Sequence, residues 1–337
     1  MASADEPSPT RPSNGIKWHP GHYVGVYVNS PAWQVKKFLY ASARFRGMHR
    51  LYYWRDLEPD EGHYDFSRIR ADLDLMRSLH KQLIVQVEVR SFRKGGRQVP
   101  NYITGQAYGE GVYTDRYTGG FHPMLWQPAV RERLAKLYQA LGAEFDQDPN
   151  FEAIATAETA VAFRDAPRAA PYSDERYLQS LTALAETLKQ AFPHTTAIFY
   201  TNYPSSLLDD ITKVLDRSGV ALGSPDIFLD DPALLNGIYK YYPRMSGRVP
   251  LAISVDTADY RVRRPGAPRT DPPVAELYAF ARERLQVNYV LWIVVQDPID
   301  YFTPLLQFLN SDKVPDDASG GLDARCPSNI AGCVSSQ

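Results

Sequence analysis

The acidic residues able to do chemistry fall at the ends of short apolar runs. Glu158 closes FEAIATAE, Asp256 closes PLAISVD with Asp259 just beyond, and Glu88 lies near the end of LIVQVEV. Asp226 follows GVALGS in the phrase SPD, and Asp56 and Glu58 follow MHRLYYW in RDLEP. So many carboxylates at run ends exceed what packing needs, because burying each one uncompensated is costly. Two of them facing each other across a cleft are what glycosidic cleavage requires. One must be protonated to help the leaving oxygen depart, and the other ionised, as nucleophile or as base for water. Crowding of like charges helps to split their pKa values. Glu158 follows small and apolar residues that offer it no local partner, so it is the strongest candidate for a catalytic carboxyl. Asp256 is the expected nucleophile or base, with Asp226 as fallback or helper. Structural duties stay open for the rest: Glu58 capping a turn before Pro59, Asp56 pairing with Arg55, Glu88 orienting Arg90, and Asp226 closing an Asx turn.

Aromatic residues make up 12% of the chain, with 5 Trp, 22 Tyr and 14 Phe. Rings at a groove floor stack on the apolar face of a pyranose, and tyrosine adds a polar tip. Trp54, Glu88, His63, Tyr200, Tyr203 and Trp292 are candidate substrate-binding residues. Tyr27 also sits at a run end; for Tyr27 and Trp292, filling the core is an equal alternative. Patterns for other chemistries are missing. No GxGxxG follows the first run, Lys94–Gly95–Gly96 is no Walker sequence, and neither HExxH nor GxSxG occurs, so neither a cofactor nor a metal is expected. The acidic pairs Asp209–Asp210 and Asp230–Asp231 lack a calcium-loop setting. With 37 Lys+Arg against 39 Asp+Glu the formal charge is -2, which argues against a general nucleic-acid binder. No stretch of about 18 apolar residues suggests membrane insertion.

The elements that must position these residues alternate. The apolar runs Tyr23–Val28, Met48–Trp54, Leu83–Val89, Phe151–Glu158, Thr195–Thr201, Gly219–Ser224, Pro250–Asp256 and Val287–Val295 are short and mostly apolar, as parallel strands covered on both faces are. Between them, helical spacing predicts helices over Phe66–Leu79, Pro128–Phe145, Asp174–Phe192, Leu207–Leu215, Pro273–Leu285 and Phe302–Leu309. The patterns over Trp33–Ala43 and Pro232–Tyr241 are weaker. Eight such units in about 290 residues make the arithmetic of a (β/α)8 TIM barrel, with an open doubly wound sheet as the alternative. Two connections exceed ordinary loop lengths, Arg90–Met124 and Ala160–Ser173. The first carries Tyr102, Tyr108, Tyr113 and Tyr117, and reads as an ordered groove wall or as a Tyr-stapled surface loop. The expected organisation is a disordered leader over residues 1–17, a single catalytic barrel over 18–312 and an irregular tail over 313–337. Cys326 and Cys333 in that tail read as a disulfide clip, which points to a secreted or periplasmic protein. A monomer or weak homo-oligomer is expected.

The stretch HRLYYWRDLEPDEGHYDFSRIRADLDLMRSLHKQLIVQV resembles the second strand, loop, helix and third strand of retaining (β/α)8 glycoside hydrolases of the cellulase-like and β-galactosidase-like clan. The resemblance implies an acid/base Glu at the end of strand four, matched by Glu158, and an aromatic of strand eight, matched by Trp292. It also implies a nucleophilic Glu at the end of strand seven, where this chain has Asp256. The Asn usually found before the acid/base is replaced by Ala157. The expected function is therefore hydrolysis of a polysaccharide or oligosaccharide. The alternatives are a polysaccharide lyase acting on a uronate polymer, since Arg55, Arg90, Arg93, Lys94 and Arg97 lie in rim-side segments, and a carbohydrate-binding barrel without turnover.

Overall fold

In a strand, successive side chains point to opposite faces, and here that period decides which residues fill the interior of a closed barrel. The computed structural model describes residues 15–163, 171–261, 273–294 and 300–335. Eight strands run in chain order: β1 Gly21–Val26, β2 Phe45–Tyr53, β3 Gln82–Glu88, β4 Phe151–Ala155, β5 Thr196–Tyr200, β6 Ala221–Ser224, β7 Leu251–Val255 and β8 Tyr289–Ile293. All pair in parallel with their chain neighbours, and β8 pairs with β1 to close the ring. The expected barrel is the observed fold, with the open sheet excluded by this closure. The inner layer holds Tyr23, Ile84, Ala153, Ala155, Ile198, Tyr200, Ala221, Ala252, Tyr289 and Leu291. The alternate residues, such as Val24, Met48, Val85, Ile253 and Trp292, join the larger core under the helices. Small residues inside make room for large ones. A Cβ on Gly223 would come within 2.5 Å of the Tyr200 ring.

The outer layer contains α1 Ala32–Tyr40, α2 Ser67–Ser78, α3 Pro128–Phe145, α4 Asp174–Ala191, α5 Leu208–Ser218, α6 Pro232–Asn236, α7 Val274–Ala279 and α8 Phe302–Leu309. Local chemistry sets their ends. Pro128 opens α3, where its missing N–H costs nothing. The Ser173 side chain accepts from the Arg176 N–H at 3.2 Å to cap α4. Gly219, at φ +69°, ends α5 in the left-handed conformation. Two predicted helices are broken up: α6 passes into the short turns Ile238–Tyr241 and Tyr242–Met245, and α7 into the π-helical turn Phe280–Arg284.

The two ends of the chain meet beneath the barrel, at the N-terminal ends of its strands. Gly15–Lys17 are buried, and Ile16–Lys17 pairs in parallel with Cys333–Val334 of the tail. Ile16–Lys17, placed in the expected leader, and Cys333–Val334, in the expected irregular tail, are thus paired strand; residues 1–14 lie outside the described residues. Cys326 and Cys333 form the expected disulfide. The tail straps the segments that lead into three strands, β1, β7 and β8. Ala324 O accepts from the Trp18 indole at 2.9 Å, the Ser328 N–H donates to Gly247 O at 2.9 Å, and Asp323 O accepts from Asn288 at 2.7 Å. Inside the floor, the buried Glu152 accepts the His19 backbone N–H at 2.7 Å and the Tyr289 hydroxyl at 2.8 Å, and pairs with the His19 ring at 2.6 Å. Burial pushes the Glu152 carboxyl up, but these His19 contacts outweigh it and hold its pKa below the usual value.

Candidate active site

The C-terminal ends of the strands surround a cleft of about 1090 Å³. Four carboxyl groups line it: Glu88 at the end of β3, Glu158 beyond β4, Asp226 beyond β6 and Asp256 directly after β7. The interior period explains two of them. Residues 82, 84, 86 and 88 of β3 share a face, as do 252, 254 and 256 at β7, so Glu88 and Asp256 continue the inner layer upward. Glu158 and Asp226 stand on the connections just past their strands.

Glu158 is half-buried, and the Asn202 side-chain amide donates to its Oε2 at 2.5 Å. Burial raises its pKa against the lowering influences of Arg90 and Asn202. Glu88 is buried, and its Oε1 accepts the Arg90 backbone N–H at 2.8 Å; burial pushes its pKa up to about 7. Asp226 also reaches about 7, through burial first and then the charges of Glu158 and Asp256. Asp256 turns inward to accept its neighbour's N–H, from Thr257, at 2.5 Å. Below it, the fully buried Asp259 accepts the Asp256 backbone N–H at 2.7 Å. Burial and the neighbouring Asp226 carboxylate push the Asp259 pKa well above its ordinary range. A carboxyl placed this way supports the Asp256 backbone, in surroundings that favour its neutral form.

Arg90 ties the two glutamate-bearing strand ends together. It is 1% exposed, bonds Ala160 O, and donates to the Tyr177 hydroxyl at 3.3 Å, which itself donates to Thr159 O at 2.8 Å. The expected Glu88–Arg90 partnership is present, through the backbone.

The substrate-binding candidates divide. Tyr200 and Glu88 line the cleft, with the Tyr200 hydroxyl 2.6 Å from Ser254 Oγ. Tyr203 does not line it, although its hydroxyl feels the charges of Asp226 and Glu158. Trp54, His63 and Trp292 stand elsewhere. Trp292 shares the face of Val290 and points to the helices, where its indole donates to His22 Nδ1 at 3.0 Å. Trp54, one step past Tyr53, is fully buried and donates to Glu58 Oε2 at 2.8 Å. His63 is exposed on the loop before α2. Glu58 is structural: it also accepts the Gly62 N–H at 2.9 Å and pairs with Arg133. Asp56 faces Arg55 at 3.4 Å.

Sequence reading overlooked Tyr53, Phe92, His49 and Gln86, all in the cleft lining. Tyr53, His49 and Gln86 were findable from period two, since each shares an inward face with a residue already singled out or adjacent to one. Phe92, 54% exposed, carries no such signal. The tyrosines of the long loop after β3 mostly staple it. Tyr108 and Tyr113 are buried, and Tyr113 packs with Trp126 and Phe163 at ring separations of 5.4 and 4.9 Å. The groove wall from this loop is Ser91–Gln98 instead. Among the described residues, no group of three or more His, Cys, Asp and Glu side chains is placed to hold a metal ion, and no helix is long and apolar enough to cross a membrane.

No protein-family model and no curated protein matches the chain. Solved structures do. Endo-glycoceramidase II from a Rhodococcus species superposes with a TM-score of 0.55 at 13% identity, over 86% of this chain and 76% of that one. A β-galactosidase from Bacillus circulans gives 0.56 at 10% identity, over 85% and 52%. One from Rahnella sp. R3 gives 0.54 at 13% identity, over 86% and 52%. At such identities the likeness is one of fold: the chain is a (β/α)8 barrel similar to those of these enzymes.

Proposed function

We propose that the protein is a glycoside hydrolase acting on a polysaccharide or oligosaccharide. The observation that carries this reading is the convergence of Glu158, Asp226 and Asp256 on one open cleft at the strand C-termini, the face on which barrels of this kind place their active sites. Glu158 has the setting of a proton donor, since burial favours its neutral form. It protonates the glycosidic oxygen as the bond to the anomeric carbon breaks. Asp256 either attacks that carbon or takes a proton from the water that does. Asp226, whose raised pKa ties it to both, adjusts the charge between them. The exposed rings of Tyr27 and Phe92 and the half-buried Tyr53 offer stacking surfaces along the cleft. The disulfide supports residence in an oxidising compartment.

The test is digestion of a broad glycan panel read by mass spectrometry. Products heavier by one water support hydrolysis. Unsaturated products without that water would assign the cleft to elimination, and glycans bound but left intact would make it a binding site.

A further inference from the structure

One wall of the cleft is basic. Arg55 comes from the turn after β2, and Arg93 and Arg97 from the loop after β3. In the barrel order, β2 and β3 lie across the mouth from β6 and β7, so this wall faces the Asp226–Asp256 side. The ledge is built rather than loose. The Arg55 backbone N–H donates to Gln98 O at 2.9 Å and its guanidinium to Arg97 O at 2.6 Å, while the same guanidinium lies 5.3 Å over the Tyr53 ring. Arg97 bonds the Asn101 side-chain oxygen, a neutral partner. Arg93 is exposed, and among the described residues its side chain has no hydrogen-bond or ion-pair partner. Among the described residues, Arg55 alone of the three is ion-paired, with Asp56 at 3.4 Å, and that pair is about half exposed. The wall thus presents cationic forks to the groove with little internal neutralisation. Such forks match planar or tetrahedral anions through paired charge-assisted hydrogen bonds.

We propose that the glycan taken by this cleft carries an anionic group, a uronate carboxylate or a sulfate ester, held by Arg93 with Arg55 and Arg97 beside it. The inference rests on the hydrolase reading and specifies its substrate class. A sugar whose scissile bond lies at Glu158 and Asp256 has a neighbouring unit against the arginine wall. There its charge meets guanidinium rather than the acidic floor.

Three oligosaccharides of one backbone test it: a uronate-containing form, its carboxyl-reduced neutral counterpart, and a sulfated form of that neutral chain. The expected kcat/KM is at least about tenfold higher on one or both anionic forms, and the advantage shrinks several-fold in roughly 0.5 M NaCl. Arg93→Gln brings the anionic substrate to within about threefold of the neutral one, mostly through KM, and Arg93→Lys restores part of the loss. Which anionic form is preferred separates carboxylate from sulfate recognition. Equal or faster cleavage of the neutral chain overturns the inference and leaves the hydrolase reading standing. If no chain is cut, that reading falls, and calorimetric binding of the same three compounds still decides. Anion-selective binding that Arg93→Gln abolishes supports the inference, and unselective binding or none overturns it.

Discussion

A carboxylic acid donates a proton near neutral pH only if its surroundings hold that proton in place. At Glu158 the holding force is burial, moderated by Arg90 and Asn202. Replacing the acid by an amide of the same shape keeps the Asn202 neighbourhood and removes the proton. Glu158→Gln is therefore expected to lower kcat by roughly 10²–10⁴ on a substrate with a poor leaving group, with circular dichroism and melting temperature little changed; a variant of full activity would dismiss the assignment. Glu88 makes a different kind of statement. Its pKa rises from 4.5 to about 7, with burial as the main cause, so the folded state holds a proton that the unfolded state releases. The stability this confers is complete below about pH 4.5 and is lost as pH rises through about 7. Glu88→Gln should thus become more stable relative to the wild type as pH increases from about 5 to about 8, by an amount up to the order of 3 kcal/mol. Urea melts at the two pH values measure it.

Between elements, the decisive connector is Arg90, which links the end of β3 to the connection after β4. Its charge lowers the pKa of both glutamates. Arg90→Met removes that influence, so the alkaline limb of kcat/KM, set by loss of the Glu158 proton, is expected to move to higher pH. A cost of roughly 1–3 kcal/mol in stability accompanies it, since Ala160 O and the Tyr177 hydroxyl lose a buried partner. A pH–rate profile taken below the variant's melting temperature separates the two effects. Gly120 fixes the groove wall in another way: a Cβ there would fall 1.6 Å from Ser91 O. Gly120→Ala is expected to raise KM severalfold by displacing Ser91–Gln98, with kcat less affected, because overpacking moves backbone rather than chemistry.

This is also the scale at which sequence reading succeeds and stops. The eight runs are legible because parallel strands buried on both faces are apolar throughout, and Pro128–Phe145 and Phe302–Leu309 match the observed helices end to end. That same uniformity hides the facing of each residue. Nothing in VNYVLWIVV says whether Leu291 or Trp292 looks inward, so the sequence leaves the large aromatic open between cleft and core, and the strand turns it toward His22. Glu158, Asp226 and Asp256 were legible as cleft residues because each stands at or just past the C-terminal end of a barrel strand. The strand Ile16–Lys17 was not, because its partner lies at the other end of the sequence.

For the molecule as a whole, the tail acts at a distance from the cleft. The Cys326–Cys333 bridge closes a loop with a sequence separation of 7, and a loop of that length restrains the unfolded chain by roughly 2–3 kcal/mol. The double replacement Cys326→Ser with Cys333→Ser is expected to lower the melting temperature by several degrees and to leave kcat/KM unchanged at moderate temperature. A scanning calorimetry trace with a parallel activity assay checks both halves. Loss of activity in the still-folded variant would mean that the strap communicates with the mouth.

The pairing of Ile16–Lys17 with Cys333–Val334 has a geometric consequence for handling the protein. Ser335 bonds Trp18 O at 3.0 Å and Gly15 O lies 3.3 Å from the His194 ring, so both ends of the described chain leave from the underside. A bead, a partner or a surface that grips this underside, around Lys17 and Val334, sits opposite the cleft. Held by that underside, the barrel stands with its open mouth toward the solution.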